Sequence, residues 1–298
     1  MEMMSKKEIK EVKLNKVYKS PPYLYASEFL SYAPPNFSGP SSLAVLFGDS
    51  TSPHPSSSTL LRKVRFCSSP SNGVIYKAEA WRHYPLPLFH KVLKADLELP
   101  YHLKLPVAVW RGATTGWPYP TSRNDDLTTD PGPYHSRAEL VRRIPLLSSN
   151  PSLDLGVTRY VQGVPPSYGV GVHLGEVDMT GYKMILIAEG NDVATGGKWA
   201  QISSSTLVTS KPKVCSWMGE DRMEGGVHYL EVREDWADLE EKVKWCLENE
   251  RECEEIGKRG RCWMRRFLDQ EREKRIMDQL WVRAGEMQRR EGVCNTEG

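Results

Sequence analysis

The stretch that decides the fold runs from Tyr182 to Val208 and reads YKMILIAEGNDVATGGKWAQISSSTLV. Tyr182–Ala188 is a short apolar run that predicts a buried strand, and Glu189-Gly190-Asn191-Asp192 ends it in a polar turn. Thr195–Ser205 then predicts a helix, and Thr206–Ser210 predicts the next strand. A strand, a helix and a strand in this order predict one unit of a parallel sheet.

The same alternation extends from about residue 106 to residue 250. The other predicted elements are the strands Leu43–Phe47, Val107–Trp110, Leu153–Val157 and His228–Arg233, and the helices Arg137–Ile144, stopped by Pro145, and Trp236–Glu250, capped by Asp235. A further helical pattern, Glu252–Arg290, is broken near Gly257 and Gly260. The predicted fold class is therefore α/β. Because ligands of parallel sheets bind beyond the carboxyl ends of the strands, we expect a site where these strands end.

Composition and charge exclude several classes of protein. The chain has 298 residues, 39% of them hydrophobic, and 40 basic against 38 acidic residues give a net charge of +2. These values exclude collagen, a coiled-coil rod and wholesale disorder, and they predict no nucleic-acid partner. The longest apolar runs, such as Met184–Ala188, are too short to cross a bilayer, so no membrane span is predicted. The first residues, MEMMSKKEIKEVKLNK, lack the apolar core of a signal peptide.

The cysteines show no metal-binding spacing. The chain has 6 cysteines, and no two of them form a C-x-x-C pair. Three of them, Cys246, Cys253 and Cys262, fall on the apolar stripes of predicted helices. We expect these three to be buried thiols rather than disulfides, although the even total permits disulfide pairing.

An arginine and a turn of small residues follow the strand Val107–Trp110. The turn reads Arg111-Gly112-Ala113-Thr114-Thr115-Gly116. Arginine offers a charge-assisted fork to a phosphate, and the turn adds backbone N–H groups and two hydroxyls. Arg111, Gly112, Thr114 and Thr115 are therefore candidate phosphate ligands. The alternative, equally open at this point, is that Arg111 forms a structural ion pair above a tight turn.

A second candidate anion site is the glycine-rich connection from the strand Tyr182–Ala188 to the following helix. Its candidate ligands are Gly190, Asn191, Thr195 and Lys198. The first turn of a helix presents unpaired N–H groups and the positive end of the helix dipole, which favour an anion. The alternative is a plain strand–helix connector.

Two further candidates are an arginine and an aspartate. Arg137 follows the Arg111 turn on a short helix that also carries Arg142 and Arg143, and a solvated basic face accounts for at least two of the three. Asp49 ends the apolar run Leu43–Phe47 and could serve as a general base, although most aspartates after a strand cap a turn.

Other catalytic motifs are missing or incomplete. Gly169–Gly175 resembles a dinucleotide fingerprint, but its third glycine comes one position late, so we interpret it as a turn. The sequence has no Asp-x-Asp pair, no P-loop lysine motif and no serine-hydrolase elbow. Its 7 histidines form no zinc motif. We therefore predict neither a metal nor a bound cofactor.

Taken together, these stretches resemble glycosyltransferase family 90, which includes capsule-associated xylosyltransferases and Rumi-type protein O-glucosyltransferases. The resemblance rests on the order and spacing of five segments: VAVWRGATTG (107–116), SRAELV (136–141), residues 182–208, VHYLEVREDWADLEEKVKWCLENE (227–250) and EEIGKRGRCWMRRFL (254–268). LAVLFGDS (43–50) falls where the family has a strand that ends in its catalytic aspartate.

The resemblance implies a GT-B-like architecture and metal-independent, inverting transfer of a sugar, glucose or xylose, from a UDP-sugar to an acceptor hydroxyl. On the matching positions Asp49 would be the catalytic base. The residues that would bind the nucleotide diphosphate are Arg111, Gly112, Thr114, Thr115, Arg137, Gly190, Asn191, Thr195 and Lys198. The expected domains are a reduced N-terminal acceptor domain (1–105), a Rossmann-type nucleotide-sugar domain (106–250) and C-terminal helices (251–298).

An alternative is a catalytically inactive binding protein with the same fold. Gly196 stands where Rumi-type members have a phosphate-contacting arginine, and Ala113 stands where the family has serine. The family implies a protein or glycan acceptor and the endoplasmic reticulum or Golgi as the compartment. The expected lack of a signal peptide also leaves a cytoplasmic location open.

Overall fold

The computed structural model describes residues 86–116 and 136–294, together with the short segments 4–5, 42–43, 45–46, 61–62, 65–67 and 74–75. The chain divides into two compact units. Unit 1 comprises residues 1–85, 213–220 and 267–298, and unit 2 comprises residues 86–212 and 221–266. Unit 2 thus begins before residue 106 and continues beyond residue 250, which are the bounds predicted for the nucleotide-sugar domain. The functional division into three domains stays a prediction.

The described strands and helices are as follows. The strands are β1 (Met4–Ser5), β2 (Ser42–Leu43), β3 (Val45–Leu46), β4 (Leu61–Arg62), β5 (Arg65–Phe66), β6 (Val74–Ile75), β7 (Leu105–Ala113), β8 (Leu153–Arg159), β9 (Tyr182–Leu186), β10 (Thr206–Ser210), β11 (Val214–Cys215) and β12 (Leu230–Val232). The helices are α1 (Leu86–Glu98), α2 (Ser136–Leu147), α3 (Glu176–Met179), α4 (Gly196–Ala200), α5 (Leu239–Glu248), α6 (Glu250–Arg265) and α7 (Gln270–Cys294). Short 3-10 helices span Tyr101–Leu103, Glu220–Arg222 and Arg266–Leu268.

Unit 1 contains small strand pairs and α7. Strand β4 pairs in parallel with β3 and β6, while β1 pairs with β2 and β5 with β11 in antiparallel fashion. A disulfide joins Cys67 to Cys215. The strand predicted at Leu43–Phe47 corresponds to the two short strands β2 and β3, whereas Asp49 lies outside the described residues.

Unit 2 is built on one parallel sheet of five strands in the order β12-β10-β9-β7-β8. This confirms the predicted α/β class with a parallel sheet. Numbered along the chain, these strands run 2-1-3-4-5, which is the flavodoxin-like doubly wound order and differs from the Rossmann order 3-2-1-4-5-6. The order reverses between β7 and β9, where the connections leave the sheet in opposite directions.

The core of unit 2 fills the space between this sheet and its helices. Its side chains are mostly aliphatic, with Trp110 and Trp236 as the largest members, and the strands contribute fully buried Ala108, Met184 and Val208. Strands buried on both faces need near-continuous apolar sequences, which explains why the sheet could be predicted from short apolar runs.

Three helix boundaries differ from prediction. Helix α2 continues past Pro145, where buried Leu147 packs in its last turn. Helix α5 begins at Leu239 rather than Trp236, because Trp236 has a φ of 57° and a left-handed residue cannot belong to a right-handed helix. Helix α4 ends at Ala200, and the serines that follow bind other groups instead of extending it.

The predicted break near Gly257 and Gly260 is wrong. Both glycines lie inside α6, and the break comes later, around the 3-10 helix Arg266–Leu268. A Cβ on Gly257 would collide with the carbonyl of Ser204, and one on Gly260 would lie 2.6 Å from the carbonyl oxygen of His228. These glycines therefore permit close packing of α6 and do not interrupt it. The helix Leu86–Glu98, α1, was not predicted.

The expectation of buried free thiols is also wrong. Cys246 and Cys253 form a disulfide, and Cys262 is an exposed thiol. Residues seven apart in one straight helix are about 10 Å apart, too far for a disulfide. The chain instead changes direction at Asn249, between α5 and α6, so the two Cα atoms lie 5.5 Å apart.

A buried polar network lies at the amino edge of the sheet, which is the side where the parallel strands begin. Asp96 on α1 accepts hydrogen bonds from Lys104 Nζ at 2.6 Å, from the Ser204 amide and hydroxyl at 2.8 Å, and from Arg261 Nη1 at 2.9 Å. Lys104 also donates to Ser205 at 2.8 Å. Both charged partners, Asp96 and Lys104, have fully buried side chains. Burial lowers the pKa of Lys104, and the Asp96 carboxylate opposes that shift.

Within the residues that the structure describes, no helix combines the length and the apolar character that crossing a bilayer requires.

Candidate functional site

The candidate site lies at the carboxyl edge of the sheet, which is the side where the parallel strands end. Strands β7 and β9 are neighbours, with Val109 opposite Ile185, although β8 and α2 lie between them in the sequence. They flank the position at which the strand order reverses. Open α/β sheets bind ligands at this position, because the diverging connections leave a crevice there. The segment 111–116 follows β7, and the segment 187–195 follows β9.

The loops after β7 and β9 touch through their backbones. Gly116 has a φ of 89°, a left-handed conformation that favours glycine. A Cβ on Gly116 would lie 2.7 Å from Gly190 Cα, and a Cβ on Gly190 would lie 2.8 Å from Thr115 Oγ1. The two predicted glycine turns are therefore brought together, and neither has room for a side chain at the contact.

Arg137 joins the same two loops. Its Nη2 donates to the carbonyl oxygen of Ala188 at 2.8 Å, and its Nη1 donates to the hydroxyl of Thr115. Its backbone N–H donates to Glu189 O at 3.0 Å. Since Arg137 is the second residue of α2, the start of this 12-residue helix lies beside the crevice. A helix start supplies N–H groups and a positive dipole end, and Arg137 adds a full positive charge.

A third loop, which follows β8, completes this edge. The Gln162 side chain accepts from the Gly116 N–H at 2.8 Å and donates to Asn191 Oδ1 at 3.0 Å. Buried Thr114 donates to Val161 O at 2.9 Å and accepts from the Val161 N–H at 2.8 Å. Gln162 was not predicted as a site residue. The only sequence signal was the pair Gln162-Gly163, which marks a turn soon after a predicted strand.

Arg111 is held in a structural ion pair. Its guanidinium donates to Asp154 Oδ1 at 2.7 Å, to Asp154 O at 2.8 Å, to Trp110 O at 2.9 Å and to Val172 O at 2.7 Å. Burial and then the hydrogen bond to Asp154 raise the pKa of Tyr182, whose hydroxyl donates to Asp154 Oδ2 at 3.1 Å. Of the two interpretations of Arg111, these contacts favour the ion pair.

The remaining predicted ligands lie near the crevice with different exposures. Gly112 is the residue at which the register of β7 with β8 shifts. Thr195 precedes α4, whose five residues include Lys198. The Lys198 side chain is fully buried, with a residue exposure of 1%. Lys198 is therefore no surface cation, and a basic side chain at the crevice comes from Arg137 instead.

Two further predictions concern the catalytic base and the binding of a metal ion. Asp49 lies outside the described residues, so its position relative to the crevice is not part of the site described above. Among the residues that the structure describes, no group of three or more His, Cys, Asp or Glu side chains could hold a metal ion.

A separate groove of about 600 Å³ lies between β12, α5 and α6. Leu230, Trp245 and Ile256 supply its apolar lining, and the rest of the lining includes both basic and acidic side chains. None of its lining residues belongs to the three loops of the carboxyl edge. We place the candidate site at the carboxyl edge because the reversal of strand order, the glycine contact and Arg137 coincide there.

The described part of unit 2 is thus a doubly wound α/β unit in which two glycine turns and Arg137 meet at the topological switch point. No family model matches the chain. The chain is 29% identical over 202 residues to O-glucosyltransferase LpsA of Dichelobacter nodosus, a match that covers 68% of this chain and 54% of that protein. It is 29% identical over 140 residues to human Protein O-glucosyltransferase 3, covering 46% of this chain and 27% of that protein.

A third relative is an uncharacterized protein, 027R, of Frog virus 3. The two proteins are 26% identical over 199 residues, and the match covers 19% of the viral protein. The chain spans about half of the bacterial relative and less of the other two. Two of these three relatives carry a functional name, O-glucosyltransferase in each case, and this similarity supports a glycosyltransferase family.

Proposed function

We propose that this protein is a metal-independent, inverting glycosyltransferase that moves a sugar from a UDP-sugar to an acceptor hydroxyl. The observation that carries the proposal is the meeting of the β7 loop, the β9 loop and Arg137 at the point where the strand order reverses. The names of two relatives point to glucose as the sugar, with xylose as the second choice from the family resemblance. A protein or a glycan would be the acceptor.

The chemistry of transfer matches the groups at the crevice. When the bond between the anomeric carbon and the diphosphate breaks, negative charge grows on the leaving oxygen. Without a metal, fixed cations and N–H donors must stabilise that charge. Arg137, the start of α2 and the Gly190 turn would supply these groups.

Inversion requires one displacement with a base on the opposite face of the sugar. Asp49 would accept the proton of the acceptor hydroxyl while that oxygen bonds to the anomeric carbon and UDP leaves with the bonding electron pair. Unit 1, which contains residue 49, would then serve the acceptor side in a GT-B-like enzyme.

The other predicted ligands take graded roles in this proposal. Thr115, Gly190 and Asn191 would face the diphosphate, and Thr195 would extend that surface toward α4. Arg111, Gly112 and Thr114 would shape the β7 loop through the contacts they already make. Buried Lys198 would act through its positive field and not by direct contact.

Replacement of Arg137 tests the donor site. Arg137→Ala should weaken UDP binding by about 1–3 kcal/mol, because it removes a charge-assisted hydrogen-bond donor. The matched control is Arg142→Ala on the same helix, since Arg142 pairs with Glu139; this variant should bind UDP like the wild type. Isothermal titration measures both. Lack of UDP binding by the wild type at millimolar concentration, or equal affinities of the two variants, would contradict the proposal.

An inactive binding protein is the second candidate function. It is favoured by Gly196, which lacks the side chain of the family's arginine, and by the engagement of Arg111 with Asp154. Purified protein with UDP-glucose or UDP-xylose and a panel of acceptors distinguishes the two. The proposed enzyme releases UDP during transfer, and Asp49→Asn abolishes that release while UDP affinity is kept. UDP binding without turnover by the wild type would favour the second candidate.

The compartment proposed is the endoplasmic reticulum or the Golgi. Two disulfides, Cys67–Cys215 and Cys246–Cys253, fit an oxidising compartment, because cytosolic reductants keep most thiols reduced. Mass spectrometry of the protein from its native source, after alkylation without reduction, tests this. Unmodified cysteines at these four positions support the proposal, and alkylated ones oppose it.

A further inference from the structure

Three groups at the carboxyl edge form a closed hydrogen-bonded circuit. The Gly116 N–H lies 2.8 Å from Gln162 Oε1 and 2.8 Å from Asn191 Oδ1. Gln162 Nε2 lies 3.0 Å from the same Asn191 oxygen. One residue comes from each of the loops that follow β7, β8 and β9, so the circuit ties the three loops together.

The circuit permits only one orientation of its two amides. A backbone N–H can only donate, so the atoms that face Gly116 N must be the oxygens of Gln162 and Asn191. With its oxygen on Gly116, Gln162 turns its NH₂ toward Asn191 Oδ1. If Asn191 were turned over, its NH₂ would face two other donors. The orientation of Asn191 is therefore fixed by Gly116 and Gln162.

This orientation turns the donor atom of Asn191 away from the circuit. Asn191 is exposed, and among the described residues no acceptor lies within hydrogen-bond distance of its Nδ2. Asn191 directly follows Gly190, which contacts the Gly116 loop. The two N–H bonds of Asn191 Nδ2 therefore have no partner among the described residues, next to the contact between the Gly190 and Gly116 turns.

We propose that Gln162 is a positioning residue that holds Asn191 so that Nδ2 donates to an oxygen of the bound nucleotide-sugar. The proposal rests on the proposed function and adds a residue to it. The oxygen belongs to a phosphate or to a hydroxyl of the sugar or ribose, since all of these accept a hydrogen bond from an amide.

The backbone of Gln162 supports a positional role. Gln162 has a φ of 59°, one of two positive values among the described non-glycine residues. A left-handed conformation is less favourable for such a residue than a right-handed one, because its Cβ comes too close to the following carbonyl oxygen. Glycine or asparagine would adopt it more easily, but neither reaches Gly116 and Asn191 as a glutamine side chain does. Gln162 therefore combines an unfavourable φ with the long amide side chain that closes the circuit.

A double-mutant cycle without charge changes tests this role. Gln162→Met keeps the length and the left-handed backbone cost but cannot hydrogen-bond, so Asn191 Oδ1 keeps the Gly116 N–H and loses the other of its two donors. Asn191→Ala removes the donor itself. We expect each single variant to weaken UDP-sugar binding about five- to twentyfold. The double variant should bind like Asn191→Ala alone, because Gln162 acts through Asn191.

The outcomes separate this inference from the proposed function. If the wild type binds neither UDP nor a UDP-sugar, the proposed function fails. If the wild type binds but the two single effects add, or if Gln162→Met binds normally, Gln162 does not position Asn191. Thermal unfolding of each variant shows whether it is folded at the temperature of the titration. A substitution that only lowers the free energy of unfolding leaves the affinity of the folded protein for the UDP-sugar unchanged.

The ligand oxygen is identified by comparing uridine, UDP and UDP-glucose in the wild type and in Asn191→Ala. A loss seen with UDP but not with uridine places the oxygen on a phosphate. A loss seen only with UDP-glucose places it on the sugar, and a loss already seen with uridine places it on the ribose or base. Equal affinities of the wild type and Asn191→Ala for each of the three ligands would overturn the proposed contact.

Discussion

The two edges of the same parallel sheet use polar residues in opposite ways. At the amino edge, Asp96, Lys104 and Ser204 bind one another, and the charged pair is completely buried. Arg261 adds a second cation on the other oxygen of Asp96. All of these groups satisfy other protein groups, so this edge can hold α1, α6 and the sheet together but offers little to a ligand.

At the carboxyl edge, glycines and short polar side chains lie beside half-buried Arg137 and buried Lys198. Gly116 and Gly190 let two loops touch, while Arg137 and Asn191 lie at the surface of the crevice. Their hydrogen bonds orient the groups without burying them. We therefore propose that the amino edge serves stability and the carboxyl edge serves binding, and each prediction below changes one edge and measures both properties.

The largest effect is expected at the amino edge. Asp96→Ala should lower the free energy of unfolding by about 3–5 kcal/mol, because the buried Lys104 ammonium loses its partner. Glu98→Ala, at an exposed position of the same helix, should change it by less than about 0.5 kcal/mol. Urea denaturation followed by circular dichroism measures both. Equal stabilities would show that the network contributes nothing, and a specific loss of UDP affinity in folded Asp96→Ala would break the division between the edges.

The next effect concerns the glycine contact at the carboxyl edge. Gly116 and Gly169 have similar φ values of 89° and 84°, but only a Cβ on Gly116 would meet another backbone. Gly116→Ala should therefore lose about 1–3 kcal/mol more stability than Gly169→Ala, because the added methyl forces the loops apart. It should also lower UDP affinity at least tenfold. Urea unfolding and titration with UDP compare the two variants. Equal free energies of unfolding and equal UDP affinities would show that the contact between Gly116 and Gly190 contributes to neither property.

The smallest expected effect is a dependence of stability on pH, which arises near the amino end of β12. Burial lowers the pKa of His228, whose Nδ1 accepts from the Glu224 N–H at 3.0 Å. The unfolded chain therefore binds this proton at a higher pH than the folded one, so stability falls as the pH drops below about 6.5 and the loss is complete below the folded pKa. The loss should be less than about 1 kcal/mol, because the ring is only partly buried.

Urea unfolding between pH 8 and pH 5 measures this dependence. His228→Gln should show a smaller decrease over the same range, since it cannot titrate. A decrease of the same size in both proteins would assign the effect to other groups. UDP affinity should not depend on this substitution, because His228 lies away from the carboxyl edge.

Much of unit 2 could be predicted from the sequence, because parallel strands buried on both faces leave apolar runs. Thr206–Ser210 matches β10, and Tyr182–Ala188 contains β9. The predictions were wrong where tertiary contacts outweighed the conformational preference of the local sequence. Gly257 lies inside α6 because that helix packs closely on Ser204, and Cys246 reaches Cys253 only after the chain turns at Asn249.

The candidate site was predicted as two loops but not as a circuit. Glycines and small residues after strands indicated the Gly190 turn and the Arg111 turn, because only a few residue types suit such positions. The sequence could not show that Asp154, 43 positions away, would pair with Arg111. Nor could it show that Gln162 would reach both Gly116 and Asn191, because this depends on the order of strands in the sheet.

The most direct test of the central claim is hydrogen–deuterium exchange of the whole chain with and without UDP. The account predicts slower exchange in residues 112–116, 136–140 and 188–198, where the β7 loop, the start of α2 and the β9 loop meet. The amino edge around Asp96 and the groove between α5 and α6 should exchange as before. Protection confined to the α5–α6 groove, or none at saturating UDP, would contradict the claim that the carboxyl edge binds a nucleoside diphosphate.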